Sequence, residues 1–139
     1  GQKEGANLAL GGKQIMQNTG GFYVEPTIFD EVKPDMRIAQ EEIFGPVLAV
    51  IPFDTEEEAV RIANGTVFGL GGSVWTSDMN VAHRVSGAIR AGTVWVNCYD
   101  KSSPVTPFGG FKQSGFGRDR SPHAVDKYMD YKTIWTVYK

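Results

Sequence analysis

The chain has 139 residues, enough for one domain with a hydrophobic core. Hydrophobic residues make up 41% and charged residues 22%, and 14 basic against 16 acidic side chains leave a net charge of −2 with both signs scattered. That balance gives no basic face for nucleic acid or an anionic membrane, no apolar run reaches spanning length, and the single cysteine, Cys98, excludes an internal disulfide framework and a cysteine-built zinc site.

The opening Gly1-Gln2-Lys3-Glu4-Gly5 has no initiator Met and reads like a chain entered partway through, so a fragment is expected. Residues 7–10 and 22–29 have strand character and are joined by a polar, Gly-rich turn. Residues 47–51, Val-Leu-Ala-Val-Ile, form a continuous apolar run, the pattern of a strand covered on both faces. Asp54, with Glu57 three residues on, predicts a capped helix that carries Ala59, Val60, Ile62 and Ala63 and stops at Asn64-Gly65.

A second strand is expected over 72–76. Ser77 or Asp78 then caps a helix whose apolar positions Val81, Val85, Ala88 and Ile89 share one face, with Gly92 as its stop. Residues 93–96 predict a third strand. Strands alternating with helices of this length imply βαβ crossovers, an α/β fold with a parallel sheet. From Asp100 to Arg120 the chain is rich in Gly, Ser and Pro without periodicity, and structureless segments of that length in compact domains tend to carry function. Ser121-Pro122 starts a short helix, and residues 133–138 are an aromatic, uncharged, β-forming run that behaves as a sheet edge seeking a partner.

The glycines fail as phosphate cradles. Gly110 and Gly115 have P-loop spacing, but Phe116 and Gly117 stand where Lys and Ser/Thr must be, and no G-x-G-x-x-G follows a strand. Cys98 follows a strand with no basic residue beside it in sequence to lower its pKa, so it reads as a buried structural thiol. His83 and His123 are far apart, and neither reads as catalytic or as a metal ligand. Glu41 and Glu42 precede the apolar run. On the residues alone a solvated pair is the simpler reading and a ligand role for Glu42 the other, while Phe44 reads as core.

Three stretches together resemble successive signatures of the NAD(P)-dependent aldehyde dehydrogenase superfamily: Glu41-Glu42-Ile43-Phe44-Gly45-Pro46-Val47, Ala91-Gly92-Thr93-Val94-Trp95-Val96-Asn97, and Pro107-Phe108-Gly109-Gly110-Phe111-Lys112-Gln113-Ser114-Gly115. They occur in the family's order, and the resemblance covers essentially the whole chain. It implies part of the family's catalytic domain over residues 1–118, a linking helix over 119–131 and an oligomerisation strand over 132–139. The parent reaction it implies is oxidation of an aldehyde to a carboxylic acid by NAD or NADP, through a cysteine thiohemiacetal and thioester. The family's nucleophile lies in a Gly-Gln-x-Cys motif and its base in a Leu-Gly-Gly-type motif. Neither motif occurs here, so Cys98, Glu41 and Glu42 inherit no catalytic role, and no catalytic residue is assigned.

What the resemblance carries over is narrower. Glu42 matches the glutamate that accepts hydrogen bonds from the nicotinamide ribose, and Phe44 the aromatic packed near the nicotinamide. Phe108 matches an aromatic of the substrate tunnel, while Tyr99, Asp100, Lys101 and Ser102 fall on its variable, specificity-setting positions. Lys101-Ser102-Ser103-Pro104 stands where many relatives place a second aromatic, which implies a roomier, more polar tunnel suited to an amino-, guanidino- or glutamyl-bearing aldehyde. The tail from Gly117 to Ala124 looks like the branch acting on ω-amino aldehydes. The remaining expectations are a cytoplasmic protein that forms a homo-oligomer through its last strand, with no tight cofactor binding and no activity from this chain alone. The alternative is a stand-alone, non-catalytic α/β interaction module.

Overall fold

The computed structural model describes all residues, 1–139, which divide into two units, residues 1–66 and 67–139. After a 3-10 turn at Gln2–Glu4, the first unit runs through β1 (Asn7–Leu10), β2 (Gln14–Ile15), β3 (Tyr23–Val24), β4 (Thr27–Asp30), the one-turn helix α1 (Arg37–Gln40), β5 (Val47–Ala49) and α2 (Glu56–Asn64). The single strand expected over 22–29 is divided at Pro26, which has no N–H for a ladder. On one side β3 pairs with β2 as a hairpin; on the other β4 becomes the centre of a three-stranded sheet.

In that sheet β4 is antiparallel to β1, with a bulge between Leu8 and Leu10, and parallel to β5, where Thr27, Ile28 and Phe29 face Val47, Leu48 and Ala49. The buried Thr27 hydroxyl accepts from the Gly12 N–H at 2.9 Å and donates to the Glu25 carbonyl at 2.8 Å, so its burial leaves no polar atom unpaired. The core is small: Ala6, Val32 and Met36 are buried, and Phe29, Ile38, Ala39, Ala49 and Ile51 pack on them. Residues 47–51 are not covered on both faces as expected. Ala49 and Ile51 join the core while Leu48 is 57% exposed and Val50 41%, the period-two alternation of a strand with one face covered.

The α2 cap also falls one residue later than expected. Thr55 is in the extended conformation, and its hydroxyl accepts from the Glu58 N–H at 3.1 Å. The Glu58 carboxylate reaches back to the Asp54 N–H, also at 3.1 Å, so the capping pair is Thr55 and Glu58, not Asp54 and Glu57.

The second unit contains β6 (Phe68–Gly69), β7 (Gly71–Val74), α3 (Met79–Ala88), β8 (Thr93–Val96), β9 (Phe111–Lys112) and a 3-10 helix, Pro122–Tyr128. Here the predicted crossover is present: β7 and β8 are parallel, Gly71 opposite Thr93 through Val74 opposite Val96, with α3 between them in sequence and packed on both. Asp78 supplies the cap, its Oδ1 accepting from Asn80 N at 2.7 Å and Val81 N at 3.3 Å. Of the expected apolar face Val81, Val85 and Ile89 are half-buried but Ala88 is exposed, and Ala82, outside that set, is the buried position of α3.

The helix ends before Gly92, because Ile89 already has an extended backbone. Gly92 serves another purpose. A Cβ there would lie 1.6 Å from the Gly109 carbonyl oxygen, so only glycine lets the two backbones approach this closely.

The sheets are mixed, not wholly parallel as expected: β6 pairs antiparallel with β9, and residues 108 and 119 form an isolated antiparallel bridge. The segment 100–120, expected to lack strands, therefore holds a ladder too short to show a period in sequence. Residues 130–139 form no helix or strand, and Trp135 and Tyr138 are each 91% exposed. The strand expected over 133–138 is absent here: a strand exists only against a neighbour, and these residues pair with no strand of the chain. No helix is long and apolar enough to cross a membrane.

Candidate cofactor and substrate site

The loop carrying Glu42 and Phe44 is anchored at both ends. Upstream, the Glu4 carboxylate accepts from the Arg37 N–H at 3.2 and 3.3 Å, and the Gln40 amide donates to the Pro34 and Gly65 carbonyls at 2.6 and 3.1 Å. Downstream, the Pro46 carbonyl accepts from the Thr27 N–H at 2.8 Å, which stitches the Gly45-Pro46 turn to the start of β4.

Between these anchors the two adjacent acids part company. Glu41 turns back one helical turn onto the Arg37 guanidinium. The hydrogen bond from Arg37 and its charge hold the Glu41 carboxyl below the ordinary range, and the same contact raises Arg37. Glu42 is exposed and makes no hydrogen bond or ion pair within the chain, so both of its oxygens are free to accept. It lines a groove of about 620 Å³ together with Lys3, Phe29, Arg37, Ile38 and Ile43.

Phe44 is not core, as its apolar character suggested; it is 92% exposed. It does not line that groove and sits at φ 57°, in the left-handed region that disfavours a residue with a Cβ. It directly precedes the Gly45-Pro46 turn, which the bond to Thr27 ties down on its far side. A carboxylate free to accept from the hydroxyls of a ribose diol, with an exposed ring two residues on for a planar heterocycle, is chemically compatible with the nicotinamide end of a dinucleotide.

In the second unit the predicted tunnel residues gather on the loop after β8. Asn97 opens it at φ 51°, its side chain accepting from the Thr76 N–H and donating to the Thr76 carbonyl, both at 2.8 Å. The Trp95 indole N–H donates to the Lys101 carbonyl at 2.7 Å, and the Trp95 and Tyr99 rings meet at 5.2 Å with a 55° tilt. Tyr99, Asp100, Lys101 and Ser102 are all exposed, Asp100 at φ 54°. Phe108 is half-buried, and Cys98, expected to be buried, is also only half-buried.

Trp95 and Asn97 lie in the second family signature and Arg118 and Arg120 in the tail from Gly117 to Ala124, yet sequence reasoning gave none of them the role seen here, which is to fix this loop. For Asn97 the local signal is an Asn directly after a strand, where the left-handed conformation is tolerated. Nothing local marks the two arginines, which act on Phe108 and Phe111 across the loop.

The Aldehyde dehydrogenase family profile matches residues 1–134. The chain belongs to the aldehyde dehydrogenase family. It is similar to an aldehyde dehydrogenase family member named betaine aldehyde dehydrogenase from Rhizobium leguminosarum bv. trifolii, 48% identical over 97% of this chain and 28% of that protein. Among solved structures it is similar to AldA, an indole-3-acetaldehyde dehydrogenase of P. syringae in complex with NAD+ and IAA, with TM-score 0.92 and 61% identity over 98% of this chain and 28% of that one. The aldehyde dehydrogenase KauB of Pseudomonas aeruginosa gives TM-score 0.91 and 58% identity over 97% and 27%. The chain thus spans about 27–28% of the length of the relatives it matches. Its mixed α/β architecture is that of the corresponding part of the aldehyde dehydrogenase catalytic domain.

Proposed function

We propose that this chain acts as part of an NAD(P)-dependent aldehyde dehydrogenase that oxidises an aldehyde to a carboxylic acid. Within it the chain supplies the nicotinamide-ribose clamp, a wall of the substrate tunnel and a subunit contact. The observation that carries the reading is the unpartnered Glu42 carboxylate, presented on a loop tied down at both ends. Bound NAD(P)+ would supply the hydride acceptor; Glu42 would fix its ribose by accepting from two vicinal hydroxyls, and Phe44 would shield the adjacent face from water. NAD+ in the P. syringae complex supports this cofactor class.

The tunnel wall would be built by Tyr99, Asp100, Lys101, Ser102 and Phe108. Its polar, charged rim favours an aldehyde bearing an amino, guanidino or glutamyl group, and the betaine aldehyde dehydrogenase relative, named for a cationic aldehyde, supports that class. A second reading, an arylacetaldehyde, rests on the Trp95–Tyr99 ring pair and on the name of the P. syringae neighbour. In this reading residues 1–118 belong to the catalytic domain, 119–131 link, and 132–139 pair with another subunit; the exposed Ile134, Trp135, Val137 and Tyr138 support the last role. A cytoplasmic protein is consistent with one unpaired cysteine.

A chimera tests all of this: the present chain in place of the matching segment of the P. syringae enzyme. Its kcat/KM should favour γ-aminobutyraldehyde over acetaldehyde. Equal preference, or a preference for acetaldehyde, would sink the polar-tunnel reading, and a preference for indole-3-acetaldehyde would select the second. The 139-residue chain by itself should generate no NADH with any aldehyde.

A further inference from the structure

The aromatic Phe108 is gripped by residues 119–121, a segment that the proposed function leaves without a role. Phe108 and Asp119 exchange both backbone hydrogen bonds, Phe108 N–H to Asp119 O at 2.9 Å and Asp119 N–H to Phe108 O at 2.6 Å. Two residues on, the Ser121 N–H donates to the Pro104 carbonyl at 2.8 Å. Residues 119–121 therefore strap both ends of the turn 104–108. The strap is held in turn by an ion pair between Asp119 and Lys127 of the 3-10 helix. From the middle of it, the Arg120 guanidinium carbon lies 5.1 Å from the centroid of the Phe108 ring, within cation–π range. Its neighbour repeats the device: Arg118 lies 4.9 Å from the Phe111 centroid and donates to the Gly110 and Gly117 carbonyls.

We infer that Arg120 is a positioning residue for aldehyde recognition, setting the orientation of the Phe108 ring and through it the width of the substrate tunnel. The inference rests on the reading of Phe108 as a tunnel wall. Phe108 is only half-buried, so part of its ring is reachable by a ligand, and the Arg120 cation stacked on the ring is a contact that favours one ring orientation. Arg120 itself is held at φ 58° and Ser121 at φ 56°, conformations that the strap's hydrogen bonds impose.

The left-handed backbone makes a clean test possible. In the chimera, Arg120→Gly removes the cation while keeping a backbone that glycine adopts without strain. The expected result is a rise in aldehyde KM of roughly two- to five-fold, the size of one exposed cation–π contact, with KM for NAD+ and the melting temperature unchanged and with partial recovery in Arg120→Lys. Phe108→Ala is the control. Should Phe108→Ala raise aldehyde KM while Arg120→Gly leaves it alone, the positioning role is wrong and the tunnel reading stands. Should neither substitution move aldehyde KM, both fall together. A lower melting temperature with matched losses for aldehyde and NAD+ would make Arg120 a purely structural residue and overturn the inference.

Discussion

Arg37 grips Glu41 with two hydrogen bonds one helical turn apart, Nε to Oε1 at 2.9 Å and Nη2 to Oε2 at 2.6 Å, and so removes one of two adjacent acids from use. The pair is solvent-exposed, and its value in stability is correspondingly small. Its sign with pH is nonetheless definite. The folded carboxyl of Glu41 titrates below its ordinary value of 4.5, so its stabilisation is complete above that value and is lost as pH falls through the depressed one. Asp119, lowered by the hydrogen bond and charge of Lys127, behaves the same way from 3.8 downward. Denaturant titrations of Glu41→Gln and Asp119→Asn should show each deficit at neutral pH shrinking in acid; a deficit constant across pH would contradict the pairing.

Glu42 should respond differently. Because it has no partner in the chain, Glu42→Gln should leave stability within about 0.5 kcal/mol of the parent, as for a surface change away from special features. In the chimera the same change should weaken hydride transfer. Unaltered kinetics would remove the ribose assignment.

Phe44 sets stability against use. Its ring is almost wholly exposed and its backbone left-handed, so Phe44→Gly should stabilise the chain by about 1 kcal/mol while impairing cofactor handling in the chimera. The check is paired unfolding and steady-state kinetics; a destabilised glycine variant would show that the ring packs in solution.

Gly92 and Thr55 test two local readings. Gly92→Ala drives a methyl group into the Gly109 carbonyl and should cost more than about 3 kcal/mol, visible as a large fall in the denaturation midpoint. Thr55→Ala should cost about 1 kcal/mol, the value of a lost cap, and Asp54→Ala almost nothing; the reverse order would restore Asp54 as the cap.

The features legible in the sequence were those with a local cause. The βαβ crossover of β7, α3 and β8 was readable because Asp78 caps, the apolar spacing of α3 and the β-branched run of β8 each signal themselves within a few residues. The roles proposed for Glu42 and Phe108 come only from family resemblance; on residues alone Phe44 was core, and Glu42 was either a solvated acid or a ligand. What stayed hidden was non-local. The Phe68–Lys112 ladder is two residues long, the Phe108–Asp119 bridge joins segments without periodicity, and Gly92 reads as a helix stop until Gly109 is seen against it. Leu48 was misplaced because an all-apolar run does not reveal which of its faces is covered.

The bond from Trp95 to residue 101 ends on a backbone carbonyl, and so does one of the two from Asn97 to Thr76; the other comes from a backbone N–H. None of these bonds depends on which side chains occupy positions 100–106. The loop is thus sealed at its ends, and exposed side chains such as those of Lys101 and Ser102 can change while these three bonds stay in place.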